Sequence, residues 1–496
     1  MKLNSCIKFH FQKGDGLAMS ENRSATTDLK ALIGEKNVSD NIFERISYGQ
    51  DSAQPDLESE KIPIGVVKPT SAQAVSEVLR YANKNKIPVY IHGAGTSFKG
   101  SPRPKRSGSI LLSTQGLTSI EAHEEDMYYE LGAGVNLYAL EKLLESRGYM
   151  LPMTMGSKFS ATIGGAVAVN TIGHMVDICL GKIIDYVMGV EVVLPNGDII
   201  ETGTKSIRRP AGLDHTRFFV GSEGLFGVIT KVRFRVIGNR KKTYIVGFFP
   251  ELTDIAHAFQ RYYGEKLPPP LYGEVLDKIA AEAPFKLRGL GEPKGHMALA
   301  ITIGYTQEEA DRQAGEMVRV FKSENAIDAH VVTSKKEQVD YWESRDNILN
   351  ILQASDGGEK LIMVGAVEAS VPLSHLGDAL DHMIKGHNYS ALKEAKLFVY
   401  GHIGTCDLHG MWVAPPSISP EKKVQIAREA IKLEGDINLM WGCASGEIGQ
   451  TASRMPFFKK RYGEAAHRML QNVKKAIDPN NILNPGNLEG EGYEHI

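Results

Sequence analysis

The sequence predicts an α+β protein built in two parts, and three observations carry that prediction. Between Ile64 and Gly238 short β-branched runs alternate with helical patterns, and three stretches of small residues interrupt them. From Lys242 onward strands and helices continue without Gly-rich turns, as expected of a separate antiparallel α+β layer covering the first part. A final segment closes on Ile477-Asp-Pro-Asn-Asn-Ile-Leu-Asn484-Pro-Gly-Asn487, where Pro and Gly after an amphipathic helix make a rigid stop. The expected divisions are a disordered tail over 1–25, a first domain over 26–240, a second over 241–440 and a returning segment over 441–496.

In chain order, Thr26 to Glu60 is polar and reads as a helical arm. Ile64 to Val67 is a strand, and Ser71 caps a helix reaching Ala82 with apolar residues at helical spacing. Strands follow at Pro88–Ile91, Gly108–Leu112 and Tyr128–Leu131, then a helix from Leu137 to Glu145. Met188–Leu194 and Asp198–Glu201 flank Pro195-Asn196-Gly197, and Asn-Gly between alternating runs signals a hairpin. Gly227 to Val236 alternates as a strand. Later strands are expected at Thr243–Phe249, Leu271–Leu276, Met297–Gly304, Asp328–Thr333, Lys360–Val371 and Ala395–Tyr400. Helices are expected at Thr253–Tyr263, Gln307–Lys322 and Leu373–Met383.

Composition narrows the function. The 496 residues are 42% hydrophobic and 23% charged, an ordinary globular balance with room for two or three cores. A formal charge of −2 argues against a nucleic-acid partner. No run of eighteen apolar residues predicts a transmembrane helix. The first nineteen residues lack the apolar region of a secretory signal, and Met19 is an alternative start. Cys6, Cys179, Cys406 and Cys443 are scattered without a CxxC, which excludes a disulfide framework and an iron–sulfur ligand set and suits a reducing cytoplasm.

The three small-residue runs carry the cofactor reading. They are His92-Gly93-Ala94-Gly95-Thr96-Ser97-Phe-Lys-Gly100, the stretch from Gly156 through Ala161-Thr162-Ile163-Gly164-Gly165 to Asn170, and Gly221-Ser-Glu223-Gly224-Leu-Phe-Gly227-Val-Ile229-Thr230. Such loops let a ligand approach the main chain and offer clustered N–H donors suited to pyrophosphate. None has the glycine spacing of a Rossmann fingerprint. Gly95 and Gly100 have the Walker interval, but Ser101-Pro102 stands where Lys-Ser/Thr is required.

In order and spacing the runs resemble the flavin domain of the vanillyl-alcohol oxidase and p-cresol methylhydroxylase superfamily, above all its glycolate oxidase and D-lactate dehydrogenase branch. The resemblance extends from about Ile62 to Leu488. It implies a two-part FAD-binding domain with an antiparallel α+β cap that binds substrate. It also implies noncovalent FAD on the residues named in the three runs, with Asn484 near the flavin ring. The closing family motif has Lys where this chain has Asn487. His174 and His215, without a partner pattern, read as structural; His92 has none either, although it opens the first run.

The second half carries the chemistry. Phe398-Val-Tyr400-Gly-His402-Ile-Gly-Thr-Cys406-Asp407-Leu-His409 holds two histidines seven apart, which a single strand would point to opposite faces. A turn over Gly404–Asp407 would bring them together, and two imidazoles with a carboxylate make a transition-metal site; without that turn they are an unrelated pair. The resemblance implies that His402, His409 and Glu447 hold a divalent ion such as Zn, Mn or Fe. It also implies that Arg345, in Tyr341-Trp342-Glu-Ser-Arg345, binds a carboxylate; bare sequence reads a packed Trp and a surface cation.

Two departures stand out. Ile448 occupies the position of the family's base, and Thr405, Cys406 and Asp407 replace Asp-Gly-Asn. Isoleucine accepts no proton, so either Asp407, Tyr400 or His409 takes that role or the substrate is something other than a 2-hydroxy acid. Cys406 and Cys443 are small buried hydrophobes or, near Glu447, thiolates that would favour zinc or iron.

The implied function is an FAD-dependent dehydrogenase oxidising a small hydroxy acid or related alcohol, with electrons leaving to a protein or quinone. It would be cytoplasmic, or peripheral to a membrane through a partner, and a homo-oligomer is compatible. The alternatives are a non-redox flavin-bound transferase of the alkyl-glycerone-phosphate synthase type and an FAD-binding electron-relay subunit.

Overall fold

The computed structural model describes residues 15–51, 61–97, 100–175, 177–208, 212–346, 348, 361–386, 389–441, 449 and 452–491. The first sheet joins β1 (Val38–Ser39), β2 (Gly65–Val67), β3 (Val89–His92) and β4 (Ile110–Ser113) in the order β1-β2-β4-β3. β1 runs antiparallel to β2, while β4 is parallel to β2 and β3, as right-handed βα crossovers demand. Ser71 accepts from Ala74 N at 3.2 Å and starts the helix Ala72–Asn85, which buries Val75, Val78, Leu79 and Ala82.

The second sheet is antiparallel and holds β5 (Ile120–His123), β6 (Tyr128–Gly132), β8 (Val187–Val193), β9 (Ile199–Glu201) and β10 (Val228–Arg235) in the order β5-β6-β10-β8-β9. β7 (Tyr149–Met150) pairs with β11 (Ile237–Gly238). The β8–β9 turn closes as Leu194 N donates to Asp198 O at 2.9 Å, with Gly197 at φ 86°. One apolar core holds both sheets together, with Leu79, Val89, Leu131, Leu140, Val167, Val190 and Phe234 sharing it with Leu483 from the chain's far end.

The rest of the chain builds a separate seven-stranded antiparallel sheet. Its strands are β12 (Lys241–Phe249), β13 (Tyr272–Leu276), β14 (His296–Gly304), β15 (Asp328–Val331), β16 (Ile362–Ser370), β17 (Lys396–His402) and β18 (Asp407–Ala414), ordered β15-β12-β14-β13-β17-β18-β16. Period-two alternation splits it. Val399, Leu408 and Trp412 face a core shared with Phe259, Phe321, Leu380 and Ile437. Phe398 and Met411 face a smaller cluster with Phe285 and Ile348. Tyr400, His402, Asp407 and His409 share the parity of Phe398 and Met411, so the site lies on this second face.

Most elements match the expected ones to within a few residues, and several differ. The first helix is Asp15–Ile33, beginning inside the expected tail, because Ala25, Leu29 and Ile33 form a buried stripe that anchors it. The arm after it contains β1 as well as helix. The helices Lys278–Arg288, Lys335–Asp346 and Pro420–Trp441 are additions. The first contains Pro284, which argues against a helix in sequence although Ala280, Ala281, Pro284 and Phe285 form its buried face, and the second is charged around most of its circumference and shows no apolar stripe. Among the described residues no helix is long and apolar enough to cross a membrane.

Candidate functional site

The first unit brings the three runs together. A Cβ on Gly93 would lie 3.1 Å from Thr162 Oγ1 and 3.6 Å from Gly165 Cα, so the first run abuts the second. A Cβ on Gly224 would lie 2.7 Å from Ile91 Cδ1 and 2.9 Å from Asn484 Nδ2, so the third run abuts β3 and the C-terminal segment. Asn484 locks that junction, donating through Nδ2 to Glu223 O at 2.6 Å while its Oδ1 accepts from Ile91 N at 2.9 Å. Thr162 caps the helix Ile163–Val169, which ends at Asn170 in the left-handed region.

His92 is buried against Tyr48, and burial holds its imidazole below the ordinary range. Ala94, Gly95, Thr96 and Ser97 continue the loop. Gly100 N donates to Asp51 at 2.8 Å. Ala161 is buried and Gly156 lies at the edge facing the second unit, where its Cβ would sit 3.4 Å from Asp346 O.

Packing explains three of the expected cofactor residues. A Cβ on Gly164 would lie 2.5 Å from Ala133 Cβ, and one on Gly227 2.4 Å from Val192 Cγ1. Ile229 pairs with Val192 within the second sheet. The open face belongs to Gly165, whose Cβ would meet only Thr162 Oγ1, at 3.3 Å. Asn170 Oδ1 is buried with no hydrogen-bond partner among the described residues, as an acceptor awaiting a ligand donor would be. These features fit FAD.

The second cluster lies on the seven-stranded sheet. The short turn Ile403–Thr405 and Cys406, at φ 59°, reverse the chain between β17 and β18. The reversal sets His402 opposite Asp407 and Tyr400 opposite His409, so the two histidines share a face despite their odd separation. Their ring centroids are 5.1 Å apart. One ligand atom from each of His402, Asp407 and His409 fits within 4.8 Å, and all three residues are buried. Asp407 Oδ2 is 3.5 Å from His409 Nε2, while Ser370 Oγ donates to Oδ1. Cys406 packs in the apolar core, whereas Cys443, Glu447 and Ile448 lie outside the described residues.

Arg345 is no surface cation. The helix Lys335–Asp346 buries it, and its Nε donates to Glu274 Oε2 at 2.6 Å. The other Glu274 oxygen is 2.7 Å from His402 Nδ1. Arg345 Nη2 is 3.3 Å from that same nitrogen, but a guanidinium only donates. The shorter contact therefore fixes the tautomer: Nδ1–H donates to Glu274 and Nε2 keeps its lone pair. Burial opposes the charge on Arg345, but Glu274, Asp346 and Tyr400 outweigh it and hold the guanidinium above its ordinary range.

Three members of this cluster were not expected. Glu274 is fully buried in β13, and its signal was a lone carboxylate inside an apolar run. His174 comes from the first unit, with Nδ1 3.3 Å from Asp346 Oδ1 and its ring centroid 5.2 Å from that of His402. Burial pushes the Asp346 carboxyl up to about 6. The neighbouring Met175 bridges to Tyr272, so the cluster straddles the two units.

Comparison with known proteins agrees with this architecture. Over 431 residues the chain is 28% identical to a D-lactate dehydrogenase of Archaeoglobus fulgidus, covering 85% of this chain and 90% of that one. It is 28% identical over 477 residues to glycolate oxidase subunit GlcD of Bacillus subtilis, covering 93% and 97%. Among solved structures, p-cresol methylhydroxylase with substrate bound superposes with a TM-score of 0.75 at 19% identity, covering 96% of this chain and 98% of that one. Residues 63–203 match the FAD binding domain, and residues 239–488 match the C-terminal domain of FAD linked oxidases. With half the chain in the second match and the first two runs in the first, the protein belongs to the FAD-linked oxidases.

Proposed function

We propose that the protein is a dehydrogenase of a small 2-hydroxy acid. The observation that carries this is the buried Arg345–Glu274–His402 constellation, placed where the two units meet. Bound FAD supplies a two-electron acceptor. Arg345, held rigid through Nε, recognises the substrate carboxylate, because a buried guanidinium is matched to a carboxylate in charge and shape. Removing the hydroxyl proton falls to a residue other than Ile448. Asp407 and His409 offer acceptors on the sheet face, and His174, steadied by Asp346, offers one from the facing unit. The relatives' names, D-lactate dehydrogenase and glycolate oxidase, support a substrate of this class.

Anaerobic mixing with a panel of short 2-hydroxy acids is expected to bleach the visible flavin spectrum with at least one member. In Arg345→Met the concentration needed is expected to rise about a hundredfold, the scale of one lost charge-assisted contact. A panel without any bleaching would sink the redox reading and favour a non-redox transfer or a relay role.

We also infer that His402 and His409 bind a divalent ion. The orientation of His402 Nδ1 toward Glu274 is the support, since metal-binding imidazoles commonly donate their other N–H to a carboxylate. Asp407 is the carboxylate within reach among the described residues, and Glu447 remains the fourth candidate. A divalent ion there would acidify a bound hydroxyl. Elemental analysis is expected to find about one equivalent per chain, lost in His409→Ala with the flavin spectrum kept; metal-free wild-type protein would reject the site.

A further inference from the structure

We propose that Lys105 is a cofactor-binding residue whose ammonium group pairs with an anionic part of FAD, at the junction of the first run, the third run and the C-terminal segment. Lys105 lies on the loop between the first run and β4. Its Nζ donates to Gly100 O at 3.1 Å, and its Cδ is 3.0 Å from where a Cβ on Gly486 would sit. The stem therefore rests on the C-terminal segment while the head points back to the end of the first run. Glu223 of the third run and Asp51 act on it from farther away. Asp51 is itself engaged by Arg103, at 2.7 Å, and by Gly100 N.

An ammonium has three hydrogens to donate, and among the described residues Lys105 places one. It has no ion pair there, although its neighbourhood is deep enough that burial pushes it down to about 8. Yet the residue keeps solvent-accessible area. Partial exposure together with two unused donors suits an ammonium that meets a ligand rather than one fixed by protein alone.

Lys474 shows the contrast. It too is buried, but its Nζ is satisfied by Leu225 O at 2.9 Å, Leu483 O at 2.8 Å and Asp478 Oδ2 at 2.5 Å. That lysine holds protein to protein, while Lys105 keeps donors for a ligand. Beside the same segment, Asn487 turns its side chain to Ser101 O at 3.0 Å.

FAD carries negative charge on its diphosphate and, once reduced, on its ring, and two measurements on the holoprotein tell these apart. Lys105→Met keeps the stem and removes the charge. If the diphosphate is the partner, FAD release on dilution, read as a fluorescence rise, is expected to speed up tenfold or more at an unchanged flavin midpoint potential. If the ring is the partner, the potential falls while FAD is retained, because the cation no longer favours the reduced anion. Lys105→Arg is expected to restore whichever quantity moved. Unchanged release and potential in Lys105→Met would overturn the proposal. Should that variant fail to accumulate, Lys105→Gln is put through the same two measurements with the same criteria. Equal loss of melting temperature in the Met and Arg variants, with both flavin quantities unmoved, would assign the lysine to the fold alone.

Discussion

Purified Gly165→Val protein is expected to be folded and colourless, while Gly164→Val is expected to fold poorly. The two neighbours sit side by side in one helix but face different surroundings. A Cβ on Gly164 would lie within 2.5–2.9 Å of Ala133 Cβ, O and Cα, so backbone would have to move, and overpacking of this kind costs about 1–3 kcal/mol or more. A Cβ on Gly165 meets only the Thr162 hydroxyl, and the valine branches would fill the open space beside the helix where the first run abuts it. The sequence alone suggested that both glycines make room for the dinucleotide; in the structure only Gly165 has open space beside its Cα, while Gly164 is held by packing against Ala133. Visible absorbance per chain, measured with the melting temperature, separates the two effects. Full flavin content in folded Gly165→Val would remove the second run from the cofactor site.

Glu274→Ala is expected to cost about 3–5 kcal/mol of stability, because it strands the buried Arg345 guanidinium without its carboxylate. Arg345→Met alone leaves the opposite orphan. The double variant Glu274→Ala/Arg345→Met is expected to be more stable than the sum of the single losses predicts, since neither charge then remains unmatched. Denaturant unfolding of the four proteins gives the coupling directly. Additive losses would show that the two side chains do not depend on one another. Hydroxy-acid bleaching is expected to need higher substrate concentrations in all three variants, because Arg345→Met loses the carboxylate contact and the two Glu274 variants lose the group that sets the tautomer of His402.

What could be read from the sequence and what could not divides along physical lines. The hairpin at Asn196-Gly197, the Ser71 cap and the alternation of β10 are local, so short windows contain them. The approach of His402 and His409 depends on a reversal only four residues long, Ile403 to Cys406, and it was legible from the small residues between them. Glu274 meets Arg345 across 71 positions and His402 across 128, distances no window can see. His174 lacked any pattern because its partner, Asp346, lies in the other unit. Arg345 could be given a carboxylate-binding role only through the family likeness, since three-residue spacing from Trp342 says nothing about burial.

The bond from Asn484 to Ile91 joins residues 393 positions apart. Leu483 also pairs with Val89 alongside the first strand bundle, and Lys474 fastens the third run to the same segment. On the ribosome the flavin-binding unit is therefore made first and completed last. At 5–20 residues per second, β3 waits roughly 20–80 s for its partner to emerge. During that interval its edge and the apolar wall that receives Leu483 stay uncovered, so the nascent first half is the stage most in need of a chaperone, and cofactor capture becomes a late event in biogenesis.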